Sequence, residues 1–523
     1  MERKLPIGIQ GFEKLRSENY VYVDKTRYIY NLVHSSSSNF LSRPRRFGKS
    51  LLLSTLRSYW EGKKKLFKGL EIEQLESANA DAWKEHPVFY FDFNGENYKK
   101  SSLESVLDSQ LKDWEDLYGN QYQDRSLGDR FQKLLEMAFA KTGLRSVVLV
   151  DEYDKPLLDV LDDKAKEEHN KEVFKSFFSV LKKADESIQF VLITGVTKFN
   201  KVSIFSDLNQ LNDISLNKDF SAVCGITEEE IKTFFGKEVS ELSSSKNISI
   251  ENCYTLLKKR YDGYYFHPFG IPVYNPFSLL KAFYEKDFGS YWFETGTPTF
   301  LVKMVKDLAF DIRKMTDRTL YVSESKLSNY KADSVDLIPL LYQTGYLSIS
   351  DFDERLSRFT LSFPNEEVEY GFLECLLPEY VPDVQEGKGT DIYSLEEYIE
   401  KGDLDGVKKV LVALFASIPY TTDNAPFEHY FQTVIYLVFT LLGKYVGCEV
   451  HTYTGRIDCI METREYVYLF EFKRDDTVEA ALKQIEQMNY SDLYAADKRK
   501  LYKIGVNFDS EKRNIEEWKV IAR

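Results

Sequence analysis

Residues 39–56, NFLSRPRRFGKSLLLSTL, combine a short apolar run, a basic loop and the start of an amphipathic run. Gly48, Lys49 and Ser50 stand where the loop becomes the expected helix. A loop that feeds a helix N-terminus aims free backbone N–H groups and the positive end of the helix dipole at an anion. Lys49 suits the β- and γ-phosphates of a nucleotide, and the Ser50 hydroxyl suits a coordination position on Mg²⁺. The stretch therefore predicts a phosphate-binding loop, and with it a nucleotide-binding sheet.

Arg43 departs from the usual pattern of such loops, which have glycine five residues before the Gly48 position. By itself, the stretch is compatible with a nucleotide site and with an ordinary basic turn before a helix. A second motif is needed to decide between them. The loop residues that we expect to bind the nucleotide are Arg46, Phe47, Gly48, Lys49 and Ser50.

The second motif is the apolar run 146–150, which ends in Asp151 and Glu152. Ligands of parallel sheets bind at the carboxyl ends of the strands, where these acids would lie. Asp151 would hold the Mg²⁺ shell, and Glu152 would orient or deprotonate the attacking water. Thr194 ends the next strand-like run as a polar sensor, and Lys198 is either a phosphate-reading cation or a solvated lysine. An acidic helix cap is the alternative for the acidic motif alone, but the two motifs together favour ATP.

Strand-like and helical patterns alternate through the first 200 residues. This alternation predicts an α/β fold with a parallel sheet covered by helices on both faces. The region from about 225 to 345 is mostly helical in its pattern. The strand-like runs are 20–23, 88–93, 146–150 and 189–194, and the helical runs include 51–60, 103–117, 127–140 and 173–184.

The chain has 523 residues, too many for one hydrophobic core, so several domains are expected. The longest apolar stretch, 434–442, falls far short of the roughly 20 residues that span a bilayer. The N-terminal MERKLPIGIQ lacks the apolar segment of a signal peptide. We therefore expect a cytoplasmic protein without a membrane partner.

Cysteine and histidine usage limits the kinds of metal site. The five cysteines form no Cys-x-x-Cys pair, and the six histidines show no ligand spacing. This argues against a disulfide framework and a zinc ribbon. Metal sites should instead use carboxylates and water, which suit Mg²⁺ or Mn²⁺.

The net charge of -14 at first argues against a nucleic-acid partner, but the charge is unevenly distributed. Residues 350–424 contain 17 acidic and 6 basic residues, whereas residues 425–523 contain 16 acidic and 14 basic residues. The acidity therefore belongs mostly to one middle segment, and the C-terminal segment is compatible with a polyanion.

A second constellation lies in that C-terminal segment. Residues 466–473, YVYLFEFK, have the pattern of a strand, so Glu471 and Lys473 share one face and Phe472 points into the core. Asp458, in the preceding expected strand, adds a second carboxylate. Carboxylates that hold Mg²⁺ and a lysine that positions or helps deprotonate the water are what phosphodiester cleavage requires.

Two further residues extend this constellation. Glu428, at the start of an apolar helix, is placed to complete the metal shell. Gln484, in the following helix, is placed to orient the site or contact the substrate. An isolated E-x-K tripeptide is also typical of a surface strand, so only the ordered set indicates a site.

Five strings carry a family resemblance: RPRRFGKS, DEYDKP, ITGVTKFNKVSIFSDLN from residue 193, YDGYYF from 261 and VYNPF from 273. In these strings the chain resembles the bacterial AAA-ATPase-like family, whose members commonly carry a C-terminal PD-(D/E)XK nuclease domain. The set of Glu428, Asp458, Glu471, Lys473 and Gln484 matches the nuclease pattern. The resemblance implies ATP and Mg²⁺ as cofactors and nucleic acid as the substrate, with DNA favoured over RNA.

We therefore expect four segments: a P-loop domain at 1–224, a mostly helical lid at 225–349, an acidic connector at 350–424 and a restriction-endonuclease-like α/β domain at 425–523. The leading hypothesis is an ATPase that controls a Mg²⁺-dependent nuclease. One alternative is a nucleotide-switched interaction protein with a silent nuclease fold, and another is an autonomous nuclease with a degenerate ATPase. The sequence leaves open whether ATP is hydrolysed or only bound, and whether the chain forms a homo-oligomer.

Overall fold

The computed structural model describes residues 3–198, 211–293, 299–316, 318–328, 337–381, 392–416, 433–434, 436–438, 440–441 and 459–523. The chain divides into two compact units. The first contains residues 1–295 and 315–368, and the second contains residues 296–314 and 369–523.

The strands of the first unit belong to two sheets. The strands are β1 Ser38–Ser42, β2 Val88–Asp92, β3 Ser146–Asp151, β4 Ile188–Gly195, β5 Asn212–Asp213, β6 Leu320–Ser323, β7 Ser348–Asp353 and β8 Arg358–Ser362. The larger sheet has the order β2-β3-β4-β1-β5 and is parallel throughout. The smaller sheet has the order β6-β8-β7 and is antiparallel.

The α-helices with bounds among the described residues are, in order, α1 Phe12–Ser17, α2 Thr26–Ser35, α3 Lys49–Trp60, α4 Glu71–Leu75, α5 Leu103–Tyr118, α6 Leu127–Thr142, α7 Lys155–Leu158, α8 Lys164–Phe178, α9 Val180–Lys183, α10 Glu228–Phe234, α11 Gly236–Ser245, α12 Ile250–Tyr261, α13 Pro276–Glu285, α14 Thr299–Asp307, α15 Arg313–Thr316, α16 Glu324–Ser328, α17 Leu337–Thr344, α18 Glu366–Tyr380, α19 Ile392–Lys401, α20 Leu404–Ala416 and α21 Val478–Gln487. Short 3₁₀ helices occur at Lys64–Phe67, Asp185–Ser187, Lys218–Phe220 and Tyr490–Tyr494.

The parallel sheet of the first unit is covered on both faces. Every residue of β3 is buried, and successive strand residues point to opposite faces, so each face of that strand must be covered. Aromatic rings fill the core that the sheet shares with α5, α6 and α8. Phe91 of β2 lies edge-on to Phe131 and Phe177, with ring centroids 5.1 and 5.4 Å apart. This confirms the α/β fold class expected for the N-terminal part of the chain.

Helices α10 to α13 form a second core in the first unit, as the helical pattern after residue 225 predicts. Helix α10 starts with a capping box, in which the Thr227 side chain accepts from the backbone N–H of Glu230 and the Glu230 side chain accepts from that of Thr227. One local prediction is wrong: residues 20–23 do not form a strand, and Tyr20 makes only an isolated bridge with Lys4. The apolar alternation in this segment therefore reflects buried side chains, such as Val21 at 3% exposed, and not pairing in a sheet.

The second unit contains a four-stranded mixed sheet of order β12-β11-β10-β9. Its strands are β9 Cys459–Glu462, β10 Tyr466–Arg474, β11 Lys500–Asp509 and β12 Asn514–Ala522. Strands β10 and β11 are parallel, and α21 makes the crossover between them, whereas the other two pairs are antiparallel. The mixed sheet confirms the expected α/β domain in the C-terminal part.

None of the helices that the structure describes is long and apolar enough to cross a membrane.

Gly263 is required by the turn that follows α12. Its φ is +90°, and a Cβ at this position would lie 2.0 Å from the carbonyl oxygen of Pro364. Gly69 has a similar φ of +77° but no atom near its Cβ position, which makes it a matched control. We expect Gly263→Ala to lower the unfolding free energy by about 3 kcal/mol or more and Gly69→Ala by about 1 kcal/mol, measured by urea denaturation. Equal losses in the two variants would contradict the close approach.

Glu367 is a carboxyl group 1% exposed in α18, where Oε1 accepts from the backbone N–H of Trp292 at 2.8 Å and from the Ser278 hydroxyl at 3.0 Å. Burial raises the pKa of Glu367 from 4.5 to about 7. The folded state therefore binds this proton more tightly than the unfolded chain does. Its stabilising contribution is present at low pH and is lost as the pH rises to about 7.

Glu367→Gln should remove this pH dependence because the amide stays neutral. Between pH 5 and pH 8, the difference in unfolding free energy should shift in favour of the variant by about 3 kcal/mol. Urea denaturation at a series of pH values measures the shift, and Glu354→Gln, at an exposed position, is the control. A difference that stays constant across this pH range would show that Glu367 does not titrate as described.

Candidate functional site

The loop between β1 and α3 has the backbone conformation that a phosphate site needs. Arg46 and Gly48 have positive φ values of 67° and 97°, so the chain turns sharply before the helix begins at Lys49. The backbone N–H of Arg43 donates to the carbonyl of Gly195 at 3.1 Å, which extends the pairing of β1 with β4 into the loop. The start of the loop that leads to α3 is therefore held against the end of β4.

Lys49 is folded into this loop. Its side chain is only 4% exposed, and Nζ donates to the carbonyl oxygens of Arg43 at 3.0 Å and Pro44 at 3.1 Å. Two of the three ammonium protons are thus used to hold the loop around the charge. An anion at the helix N-terminus would meet both the ammonium and the first-turn N–H groups.

Asp151 and Thr194 come together because β3 and β4 are parallel neighbours, with Val150 opposite Ile193. The Thr194 hydroxyl donates to Asp151 Oδ1 at 2.9 Å, and the Tyr90 hydroxyl donates to Asp151 Oδ2 at 3.3 Å. Thr194 is fully buried, and its hydroxyl also lies 3.2 Å from the carbonyl oxygen of Val150. The structure therefore places Thr194 as a group that orients Asp151.

Glu152 follows Asp151 in a strained backbone conformation, with φ at +49°. For a residue other than glycine this conformation costs on the order of 1 kcal/mol and is common at functional sites. Burial raises the pKa of the Glu152 carboxyl above its usual range, the nearby Asp154 and Asp151 carboxylates raise it further, and Lys49 and Arg45 oppose the rise. A carboxylate with a raised pKa is a better proton acceptor, as a general base requires.

Asp154 is a residue of the site that sequence reasoning missed. It is 1% exposed and accepts hydrogen bonds from the backbone N–H groups of Val196 and Thr197 and from the Thr197 hydroxyl, at 2.6 to 3.1 Å. A Cβ on Gly195 would lie 2.6 Å from Asp154 Oδ1, which explains the glycine. The DEYD turn is thereby fastened to the end of β4. In the sequence, the only sign of this role is that a second aspartate follows three positions after Asp151.

A cavity of about 460 Å³ opens at the loop. Its lining includes Arg45, Arg46, Gly48, Lys49, Ser50, Asn94 and Glu152. It also includes the apolar residues Ile9, Val21, Val23, Ile226, Phe235, Phe277 and Leu280, among others. A cavity that combines charged groups with apolar side chains fits a nucleoside triphosphate, whose phosphates would lie at the loop and whose base would contact apolar residues.

Three residues predicted to bind the nucleotide do not present their side chains to the cavity in the expected way: Phe47, Asp151 and Thr194. Phe47 packs its ring edge-on against Tyr264 and Phe266, at 4.7 and 5.6 Å, so a contact from Phe47 to phosphate would have to come from its backbone. Asp151 and Thr194 are not among the described residues that line the cavity.

Lys198 is buried, so the prediction of a solvated lysine at this position is wrong. It is 4% exposed, and its Nζ lies 3.0 Å from Asp213 Oδ2. Its backbone N–H also donates to Gln343 Oε1 at 2.8 Å. The partners of Lys198 lie on β5 and α17, so no local pattern could show that this lysine is buried.

A second group of functional residues meets on β10 and α21. Lys473 Nζ donates to Glu471 Oε1 at 3.0 Å and to Gln484 Oε1 at 2.6 Å. Glu471 is 1% exposed, whereas the Lys473 side chain is 21% exposed and reaches the surface. Phe472 lies on the other face of the strand, stacked on Phe470 at 6.1 Å. The geometry brings together three of the five residues selected in this segment.

The other two, Asp458 and Glu428, lie outside the described residues. Strand β9 begins at Cys459, the residue after Asp458, and Cys459 pairs with Phe470, the residue before Glu471. Within the part of the chain that the structure describes, no group of three His, Cys, Asp or Glu residues is arranged to hold a metal ion. Of the three carboxylates predicted for this site, Glu471 is the one that the structure describes.

Comparison with known proteins identifies a family model for each of the two regions that contain these residues. A family model described as predicted AAA-ATPase matches residues 6–205, and a PD-(D/E)XK nuclease superfamily model matches residues 426–518. The "Uncharacterized protein in vnfD 5'region" of Azotobacter chroococcum mcd 1 is 36% identical over 532 aligned residues, which cover 98% of each chain. The chain therefore belongs to the AAA-ATPase-like family and carries a PD-(D/E)XK nuclease superfamily domain.

Proposed function

We propose that this chain binds and hydrolyses ATP and that the nucleotide state controls a Mg²⁺-dependent nuclease in its second unit. The observation that carries the proposal is the cavity of about 460 Å³ whose lining combines Lys49 and Glu152 with apolar side chains. The bridge from Lys473 to Glu471 and Gln484 supports the nuclease part. Nucleic acid is the substrate that this domain type implies, and we favour DNA over RNA.

At the nucleotide site, Lys49 would hold the β- and γ-phosphates together with the N–H groups from Arg46 to Ser50. Ser50 and Asp151 have the oxygen ligands that Mg²⁺ prefers, and the bond from Thr194 keeps the Asp151 carboxylate oriented. Glu152 would orient the attacking water and accept its proton, which its raised pKa favours.

At the nuclease site, Glu471 and Asp458 would hold the metal, with Glu428 completing the ligand set. Bound Mg²⁺ would neutralise charge on the phosphate and make its coordinated water more acidic. Lys473 would position a water against the phosphodiester and take part in its deprotonation, and Gln484 fixes the direction of the Lys473 ammonium. Because Lys473 is partly exposed, its ammonium can face a substrate at the surface.

Lys49→Ala should weaken ATP binding by roughly 10- to 100-fold, because it removes charge-assisted hydrogen bonds to phosphate. Glu152→Gln should leave ATP affinity nearly unchanged and slow hydrolysis by about 10²- to 10⁴-fold. Isothermal titration calorimetry and phosphate release measure the two effects, with the exposed Lys64→Ala as the control. Unchanged binding in Lys49→Ala would refute the nucleotide assignment.

Lys473→Ala should reduce Mg²⁺-dependent cleavage by at least about 100-fold without changing ATP affinity, and Asp458→Ala should do the same. Lys483 lies on the same helix as Gln484 but is exposed, so Lys483→Ala is the matched control. The assay uses single- and double-stranded DNA and RNA with Mg²⁺ or Mn²⁺, with and without ATP.

Cleavage that persists in both Lys473→Ala and Asp458→Ala would remove the assignment of this site. If the wild-type protein cleaves none of these substrates, the nucleotide-switched interaction protein becomes the better reading. Cleavage that does not respond to ATP or to Lys49→Ala would indicate an autonomous nuclease.

A further inference from the structure

Arg43, the residue that departs from the usual phosphate loop, is buried away from the cavity. It is 1% exposed and is not among the described residues that line the nucleotide cavity. Its φ is not positive, so the backbone here has no need for glycine. Glycine would be required here if φ were positive or if the ligand came close to the backbone. Neither condition applies at Arg43, so a large side chain fits.

The Arg43 guanidinium spans three separate pieces of the first unit. Nη1 donates to the carbonyl oxygens of Ser42 at 2.9 Å and Ser215 at 2.8 Å, and Nη2 donates to that of Phe220 at 3.0 Å. The guanidinium carbon also lies 3.9 Å from the centre of the Phe266 ring. A planar group with several fixed donors suits this arrangement, whereas one lysine ammonium cannot bond all three carbonyls and also stack on the ring.

The segment held by Arg43 leads directly into a wall of the nucleotide cavity. Val223, Cys224, Gly225 and Ile226 line that wall. The backbone N–H of Gly225 donates to the carbonyl of Phe47 at 3.1 Å, which ties the wall back to the phosphate loop. The loop and the wall are therefore joined at two points, one through Arg43 and one through Phe47.

Arg43 also acts on Lys49 through its own backbone. Its carbonyl oxygen accepts from Lys49 Nζ at 3.0 Å, while its backbone N–H donates to Gly195. A change in the position of Arg43 would therefore move the acceptor that holds the phosphate-binding lysine. The side chain, fixed among carbonyl oxygens and an aromatic ring, determines that position.

We propose that Arg43 is a positioning residue of the nucleotide site, which braces the phosphate loop against residues 215–226 so that its N–H groups are already arranged for the phosphate chain. This role rests on the proposed ATP binding. It gives the arginine at the usual glycine position a function that glycine could not supply. The Arg43 carbonyl holds Lys49 directly, so the brace should also affect a ligand that has the phosphate chain but no base.

Arg43→Lys in the full chain tests this role. If the competent loop conformation falls to about a tenth of the population, the Kd for ATP rises about 10-fold. Inorganic triphosphate, which lacks the base, should also lose affinity, measured by competition against a fluorescent ATP analogue. Arg125→Lys, at an exposed position, is the matched control and should leave both affinities unchanged.

A second variant, Phe266→Leu, removes the ring under the guanidinium and leaves the loop sequence intact. It should raise both dissociation constants in the same direction by a smaller factor, and it serves as the test if Arg43→Lys does not fold. A merely structural arginine would lower the melting temperature while the folded protein kept the wild-type Kd for ATP and triphosphate, and that result would overturn the proposal. If the wild-type protein itself does not bind ATP, the proposed function fails first.

Discussion

The parallel pairing of β4 with both β1 and β3 is the constraint on which the proposed nucleotide site depends. This register places Gly195 beside Arg43 and Thr194 beside Asp151, so one strand end fixes both the loop and the acidic motif. Residues more than 100 positions apart in sequence thereby meet at one sheet edge. Because β4 pairs with both β1 and β3, it fixes the position of the loop after β1 relative to the acids after β3.

Strain and buried charge are concentrated at this edge. Arg46 and Glu152 hold positive φ angles, and Lys49, Asp151 and Asp154 are almost completely buried. Each of these charged groups is paired with a hydroxyl, a backbone carbonyl or a backbone N–H group, which is the condition for burying charge without a large loss of stability. A site arranged in this way needs little reorganisation when a phosphate chain binds.

In the second unit, a charged side chain is likewise held in place, here by two neighbouring residues. Alternation along β10 puts Glu471 and Lys473 on one face, and the crossover helix α21 brings Gln484 to the same lysine. Close approach of that helix is possible because Gly505 of β11 has no side chain; a Cβ there would lie 2.7 Å from the carbonyl of Val478. The ammonium is therefore oriented by Glu471 on its own strand and by Gln484 on the crossover helix that directly follows this strand.

The sequence by itself determined the alternation of strands and helices, the phosphate loop, the acids that follow β3 and the shared face of Glu471 and Lys473. These follow from local periodicity and from short motifs, in which the decisive spacing lies within about ten residues. Only the tertiary structure decided the contacts of Arg43, Asp154, Thr194 and Lys198, because their partners lie on other strands and loops. The same reason explains the error at residues 20–23: alternation shows that side chains are buried, but a strand also needs a backbone partner, which local sequence does not specify.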